Sequence, residues 1–267
     1  MASRRILRLV RHEANLRMTL LFKVKDTMEI KGFIETSLID WDGKLVSVFF
    51  LPGCNFRCPF CHNHQLWKEP QKIETVPWQR ISDFLKGKKG WIDGVVITGG
   101  EPTVHDDLPQ FIESLREMGL LIKLDTNGAN PEMLQLLLDK KLVDYVAMDL
   151  KATLDPIYSQ AAGTKVNLDD IKRSIEILMT GKTDYEFRTT LVPLFHSLEN
   201  VKQMGKSIKG AKKWVLQQFV PQNSETAMLK NVWPYAEEYL VKMQQEGSKW
   251  VESCILRGIS EIAADQV

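Results

Sequence analysis

Three of the chain's four cysteines fall within eight positions: Cys54, Cys58 and Cys61, in LPGCNFRCPFCHNHQLW at residues 51–67. Cysteines used for packing are small buried hydrophobes placed singly, so this CxxxCxxC spacing predicts chemistry. Gly53 and Pro59 help a loop curl its thiolates toward one point. Three sulfurs leave a four-coordinate centre incomplete. With zinc, His62 or His64 would close a Cys₃His site, although the usual second CxxC-type knuckle is missing. With iron and sulfide, a [4Fe–4S] cube on three cysteines leaves one iron open to an outside ligand. The remaining reading is a loop with no cofactor at all.

Further reactive side chains follow other short apolar runs. Gly99, Gly100 and Glu101 in TGGEP combine close backbone approach with a carboxylate able to accept from an ammonium. Read alone, the same residues are a turn. Thr126 and Asn127 stand in DTNG, and Asp149 and Lys151 in MDLKA. Asp149 could equally cap a helix and Lys151 be a solvated amine. Arg188 in EFRTTLVP offers a guanidinium for a carboxylate or a ribose oxygen, or a structural ion pair. His196 in LFHS could bind a cofactor or cap a helix. Cys254 stands apart in VESCILRG and reads as a buried structural thiol, and Trp214, Trp233 and Trp250 read as packing residues.

These residues need a frame that brings them together. From residue 45 onward, apolar β-rich runs alternate with helical periodicity, the pattern of parallel βα units. Strands are expected in KLVSVFFL, GVVITGG, LLIKLDT, VDYVAMD, YEFRTTL and KWVLQQF. Helices are expected near 77–87, over Leu108 to Met118, from Pro131, through Ile171, Ile175 and Leu178, through Leu198, Val201 and Met204, and near 233–246. Six such units can build an incomplete barrel or an open doubly wound sheet. In either arrangement every reactive residue follows a strand, so all are expected at the carboxyl ends of the strands.

With 35 basic and 34 acidic side chains, the formal charge of +1 gives no global attraction to nucleic acid or to an anionic membrane. The longest apolar runs are strand-length, short of the roughly 20 residues a membrane-spanning helix needs. Arg8, Arg11, Arg17 and Lys23 interrupt the start, leaving no secretory h-region. A cytoplasmic protein is expected, where clustered thiols bind metal more often than they form disulfides. Residues 1–27 are a basic segment upstream of the periodic region, either an extension or sequence before a true start at Met28. Residues 28–267 are expected to form one domain.

CxxxCxxC with Phe60 just before the last cysteine resembles the cluster loop of radical S-adenosylmethionine enzymes, and TGGEP resembles their second motif. The resemblance implies a (β/α)6 partial TIM-type barrel with its active site at the strand C-terminal ends. It also implies one [4Fe–4S] cluster on Cys54, Cys58 and Cys61, with S-adenosyl-L-methionine held by residues drawn from Phe60, His62, Gly99, Gly100, Glu101, Thr126, Asn127, Asp149, Lys151, Arg188 and His196. Within that superfamily, IKGFIETSLIDWDGKLVSVFF, CHN, DTNG, MDLK and RTTLVP look like the activators of anaerobic ribonucleoside-triphosphate reductase and, next to them, of pyruvate formate-lyase. The implied partners are a glycyl-radical reductase and a flavodoxin- or ferredoxin-type electron donor. A 7-carboxy-7-deazaguanine synthase-like enzyme competes, but that group has Asp-Thr where this chain has His62 and Asn63. From another class, a noncatalytic iron–sulfur or zinc binding module would leave the GGEP and DLK segments without a shared purpose.

Overall fold

A computed structural model describes residues 28–259; the basic segment 1–27 lies outside them. The frame is one sheet of eight strands: β1 (Gly32–Ser37), β2 (Val46–Leu51), β3 (Gly94–Gly99), β4 (Leu121–Thr126), β5 (Tyr145–Asp149), β6 (Asp184–Leu191), β7 (Lys213–Gln218) and β8 (Ser253–Arg257). Their spatial order is their sequence order. A doubly wound sheet must reverse its strand order at a switch point, and this sheet never does. It is the barrel-type winding, left open between edge strands β1 and β8, which do not pair. The expected six parallel strands are β2 to β7. β8 adds a seventh, and β1 pairs antiparallel with β2 as an extra edge. Both additions are short and partly polar, GFIETS and SCILR, so neither carries the apolar signal of a covered strand.

Between the strands run helices α1 (Gln65–Lys68), α2 (Trp78–Gly87), α3 (Leu108–Arg116), α4 (Pro131–Asp139), α5 (Pro156–Ala162), α6 (Leu168–Thr180), α7 (Leu198–Ser207), α8 (Ala227–Lys230) and α9 (Glu237–Gly247). Capping explains several starts. Asn130, Asp155 and Asn167 each accept from a first-turn amide, and Ser197 with Asn200 forms a capping box. The apolar stripes face the sheet as expected, with Phe111, Ile112, Leu115, Ile171, Ile175, Leu178, Val201 and Met204 buried. The final helix begins four residues later than the periodicity predicts, because Pro234 precedes it in an irregular stretch. Cys254 is buried beside Gly247, as a structural thiol should be. Trp214 is buried, donating to Thr189 Oγ1 at 3.0 Å, whereas Trp233 is 89% exposed, contrary to the packing role expected of it.

Most of the core lies between the sheet and the helices. A smaller apolar cluster fills the concave face near the strand starts: Trp41, from the β1–β2 loop, packs on Val46, Val48, Val96 and Tyr145. That loop is tied down by Lys123 Nζ donating to the Asp40 carbonyl at 2.5 Å and by Asp42 pairing with Lys213 and Arg257. The strand-start half of the concave face is thereby filled, and the carboxyl-end half stays open.

Candidate active site

The open half is a cavity of about 400 Å³. Every candidate site residue selected from the sequence except His64 and His196 lines it, and all three clustered cysteines do so.

The cysteine loop follows β2 directly and is held by its own hydrogen bonds. Gly53 enters it in the left-handed region at φ +77°, and Cys61 N–H turns back to the Cys58 carbonyl at 3.0 Å. The Arg57 guanidinium donates to the carbonyls of Cys54 and Phe56 at 2.5 and 2.7 Å and lies 4.6 Å from the Trp67 ring centre. Two distant segments grip the same loop: Arg57 N–H reaches Ala162 O at 2.8 Å, and Thr226 N–H reaches Pro59 O at 3.1 Å. Burial pushes the Cys54 thiol up to about 12 and the Cys58 thiol up to about 11. A metal must displace the thiol protons to make these cysteines ligands. Phe60 packs on Phe195 and faces Lys151 Nζ, 6.0 Å from its ring centre. His62 lines the cavity, its burial favouring the neutral imidazole. His64 Nδ1 instead meets the Cys61 carbonyl at 3.1 Å. Among the described residues, no three His, Cys, Asp or Glu side chains converge on a single metal ion.

Gly99 and Gly100 end β3 against the start of that loop. A Cβ on Gly100 would sit 1.7 Å from the Gly53 carbonyl oxygen, and one on Gly99 would sit 2.4 Å from the Leu51 nitrogen. Gly100 N–H and Glu101 N–H donate to Leu51 O and Gly53 O at 2.9 and 2.8 Å. Only glycine permits this approach. Glu101 is buried, which raises its pKa, and four donors oppose that rise: Thr103 N–H and Oγ1, Thr126 Oγ1 and Asn127 N–H, at 2.6–3.1 Å. One carboxylate thus ties the end of β3 to the end of β4. Asn127 then donates through Nδ2 to Asn55 at 2.7 Å, beside Cys54.

Across the cavity runs a chain of charges. Lys151 Nζ and Arg188 Nε donate to the two oxygens of Asp149 at 2.9 and 3.0 Å, and Arg188 Nη1 donates to Asp125 at 2.9 Å. Lys123 Nζ lies 3.6 Å from Asp125 Oδ1, which has no hydrogen-bond partner. Burial would raise the Asp149 carboxyl, but the Arg188 and Lys151 cations outweigh it and hold the group near 2. Burial likewise disfavours the Lys151 ammonium, and Asp149 reverses that, raising its pKa. Three cations face two carboxylates, so the chain keeps one positive charge. Lys123 and Asp125 were not singled out by sequence; the signal was present in IKLDT, where charges at alternate positions share one strand face.

His196 lies behind this wall. Its ring is buried, with Nε2 3.0 Å from Lys151 O and Nδ1 3.0 Å from Val192 N. The neutral Nε2–H tautomer satisfies both, and burial holds the pKa near 4. It braces the backbone of Lys151.

The sequence profile of the Radical SAM superfamily matches residues 48–206. A Methanocaldococcus jannaschii protein named for glycyl-radical enzyme activation is 31% identical over 238 residues, 86% of this chain and 96% of that one. A pyruvate formate-lyase-activating enzyme of Listeria monocytogenes is 29% identical over 180 residues, 59% of this chain and 72% of its own. In fold, the chain is similar to Streptococcus suis SuiB bound to its precursor peptide SuiA, at TM-score 0.59 and 15% identity over 79% of this chain and 48% of that one. No described helix is long and apolar enough to cross a membrane. A loop of three cysteines at the first parallel strand end, a Gly-Gly-Glu turn packed on it and these relatives together place the chain in the radical SAM superfamily, an enzyme of the glycyl-radical enzyme activating group.

Proposed function

We propose that this enzyme installs a glycyl radical on an anaerobic ribonucleoside-triphosphate reductase, with Cys54, Cys58 and Cys61 as the three ligands of a [4Fe–4S] cluster and S-adenosyl-L-methionine bound beside it. The observation that carries the reading is convergence: thiols, the Gly-Gly-Glu turn and the Asp149–Lys151–Arg188 chain border one cavity. Each cysteine of a cube binds a different iron, so three thiols bordering one cavity suit a cluster.

The same donor set suits the cofactor. An α-amino acid carries an ammonium and a carboxylate, and the cavity has the negative charge of Glu101, its oxygens engaged by four donors, on the β3 side and the net positive charge with Lys151 on the β5 side. When bound, the reduced cluster and S-adenosyl-L-methionine supply reductive cleavage of the sulfonium, giving methionine and a 5′-deoxyadenosyl radical able to take a hydrogen atom from glycine. The chain's own residues hold and orient these groups. Arg57, Ala162 and Thr226 hold the loop, and His196 and Asp149 hold Lys151 toward Cys58. The reducing electron comes from a flavodoxin- or ferredoxin-type donor.

The test is anaerobic. Protein reconstituted with iron and sulfide, reduced and given S-adenosyl-L-methionine should form equal amounts of 5′-deoxyadenosine and methionine, and added reductase should then show a glycyl-radical signal by electron paramagnetic resonance. Cys58→Ala should abolish both; turnover retained in that variant would overturn the ligand set. Cleavage with a radical on pyruvate formate-lyase but not on the reductase would reassign the partner.

A further inference from the structure

Two polar side chains on the β6–β7 side of the cavity are left over by the arrangement above. On the β3 to β5 side most polar groups are engaged with one another, Glu101 by four donors, Asp149 by two cations and Asn127 by Asn55, the Thr98 hydroxyl of β3 being the exception. On the far side, Thr190 of β6 and Gln217 of β7 line the cavity, and neither side chain has a hydrogen-bond partner among the described residues. They are register partners in the parallel β6–β7 pairing. Paired residues point to the same face of a sheet, with strands about 4.8 Å apart, so the hydroxyl and the amide stand side by side over the cavity. The charges nearest them are committed elsewhere. Arg257, the register partner of Gln217 on β8, pairs with Asp42 and Glu186, and Arg188 pairs with Asp125 and Asp149.

The free wall is therefore neutral, with one primary amide carrying both a donor and an acceptor and one hydroxyl able to act as either. That set matches an uncharged chain of peptide groups, which presents one donor and one acceptor per residue. Size agrees. A cavity of about 400 Å³ is at the small end of ligand sites, so whatever enters beside a nucleotide-sized cofactor must be slender. A main chain lacking a Cβ is the slenderest polypeptide available.

Resting on the proposed function, we infer that Gln217 and Thr190 are specificity-determining residues that bind the main chain flanking the target glycine. Gln217 receives a peptide N–H and donates to a peptide carbonyl, and the Thr190 hydroxyl assists. The glycine is recognised by its backbone and its missing side chain, and flanking residues stay outside the cavity.

The test uses the reconstituted full chain and a probe peptide, N-acetyl-Ala-Gly-Ala-amide with both glycine α-hydrogens replaced by deuterium, with transfer of deuterium into 5′-deoxyadenosine as the readout. A second probe carries N-methyl groups on the two amides flanking the glycine. Wild-type protein should show saturable transfer and half-saturate with the methylated probe at about fivefold higher concentration, the loss of one neutral hydrogen bond. Gln217→Leu should half-saturate at about fivefold higher concentration with the first probe and no longer distinguish the two, and Thr190→Val should show a smaller reduction in discrimination. A variant damaged only in folding would lose rate with both probes and keep discriminating. Equal discrimination in wild type and Gln217→Leu, or cleavage of S-adenosyl-L-methionine in wild type with no saturable transfer, would overturn the inference and leave the proposed function standing. Absence of cleavage in wild type would overturn the proposed function, and the inference with it.

Discussion

Replacing Gly100 by alanine tests whether the glycine pair is there for flexibility or for space. The new Cβ would lie 1.7 Å from the Gly53 carbonyl oxygen and 2.7 Å from its carbon, both backbone atoms. No side chain can rotate away, so the end of β3 and the entry to the cysteine loop must separate by about 1.7 Å to restore an ordinary contact of about 3.4 Å. Separation breaks the 2.9 and 2.8 Å hydrogen bonds of Gly100 and Glu101 to Leu51 and Gly53. Overpacking costs about 1–3 kcal/mol and two backbone hydrogen bonds about 1 kcal/mol each, so a loss of about 3–5 kcal/mol is expected. Gly119→Ala is the control. Gly119 has φ +84° with nothing within 4 Å of its would-be Cβ, so alanine there meets conformational strain alone, about 1 kcal/mol. Urea unfolding with linear extrapolation measures both variants, and iron content after reconstitution reports the loop. Should Gly100→Ala prove no less stable than Gly119→Ala and bind as much iron, the close-approach reasoning fails.

Acid should weaken the brace behind Lys151. The His196 imidazole titrates near 6.5 in an unfolded chain and near 4 in the fold, so its stabilisation is complete above 6.5 and is lost as the pH falls toward 4. From pH 7 to pH 5 this amounts to about 2 kcal/mol, measured as the difference in urea-derived stability between wild type and His196→Gln, whose own curve should lack that slope. At the other clamp, a Cβ on Gly163, which has φ +64°, would meet Arg57 O at 2.0 Å. Gly163→Ala should therefore speed hydrogen exchange of the Arg57 amide at least tenfold, whereas Gly210→Ala, strained but with open space around it, should not; equal exchange in the two variants would remove the clamp.

Much of the frame and the centre of the site could be read along the chain, because both depend on local spacing. CxxxCxxC places three sulfurs on one loop, and strand and helix periods show where apolar faces must turn inward. The parallel βα alternation, the cysteine loop and the GGEP, DTNG and DLK strand ends belong to this class, whereas periodicity left the partial barrel and a doubly wound sheet both open and only the family resemblance implied the barrel. Short edge strands escaped because β1 and β8 have half-exposed, mixed compositions. Only the tertiary structure decided which groups remain free. It engages Glu101 with four donors, places His196 behind Lys151 rather than in the cavity, joins Lys123 and Asp125 to Arg188, and leaves Thr190 and Gln217 facing open space. The physical reason is that hydrogen-bond satisfaction and desolvation depend on neighbours from strands tens of residues apart. A residue's type states what it can donate or accept, and the packed sheet determines whether a partner has already taken it.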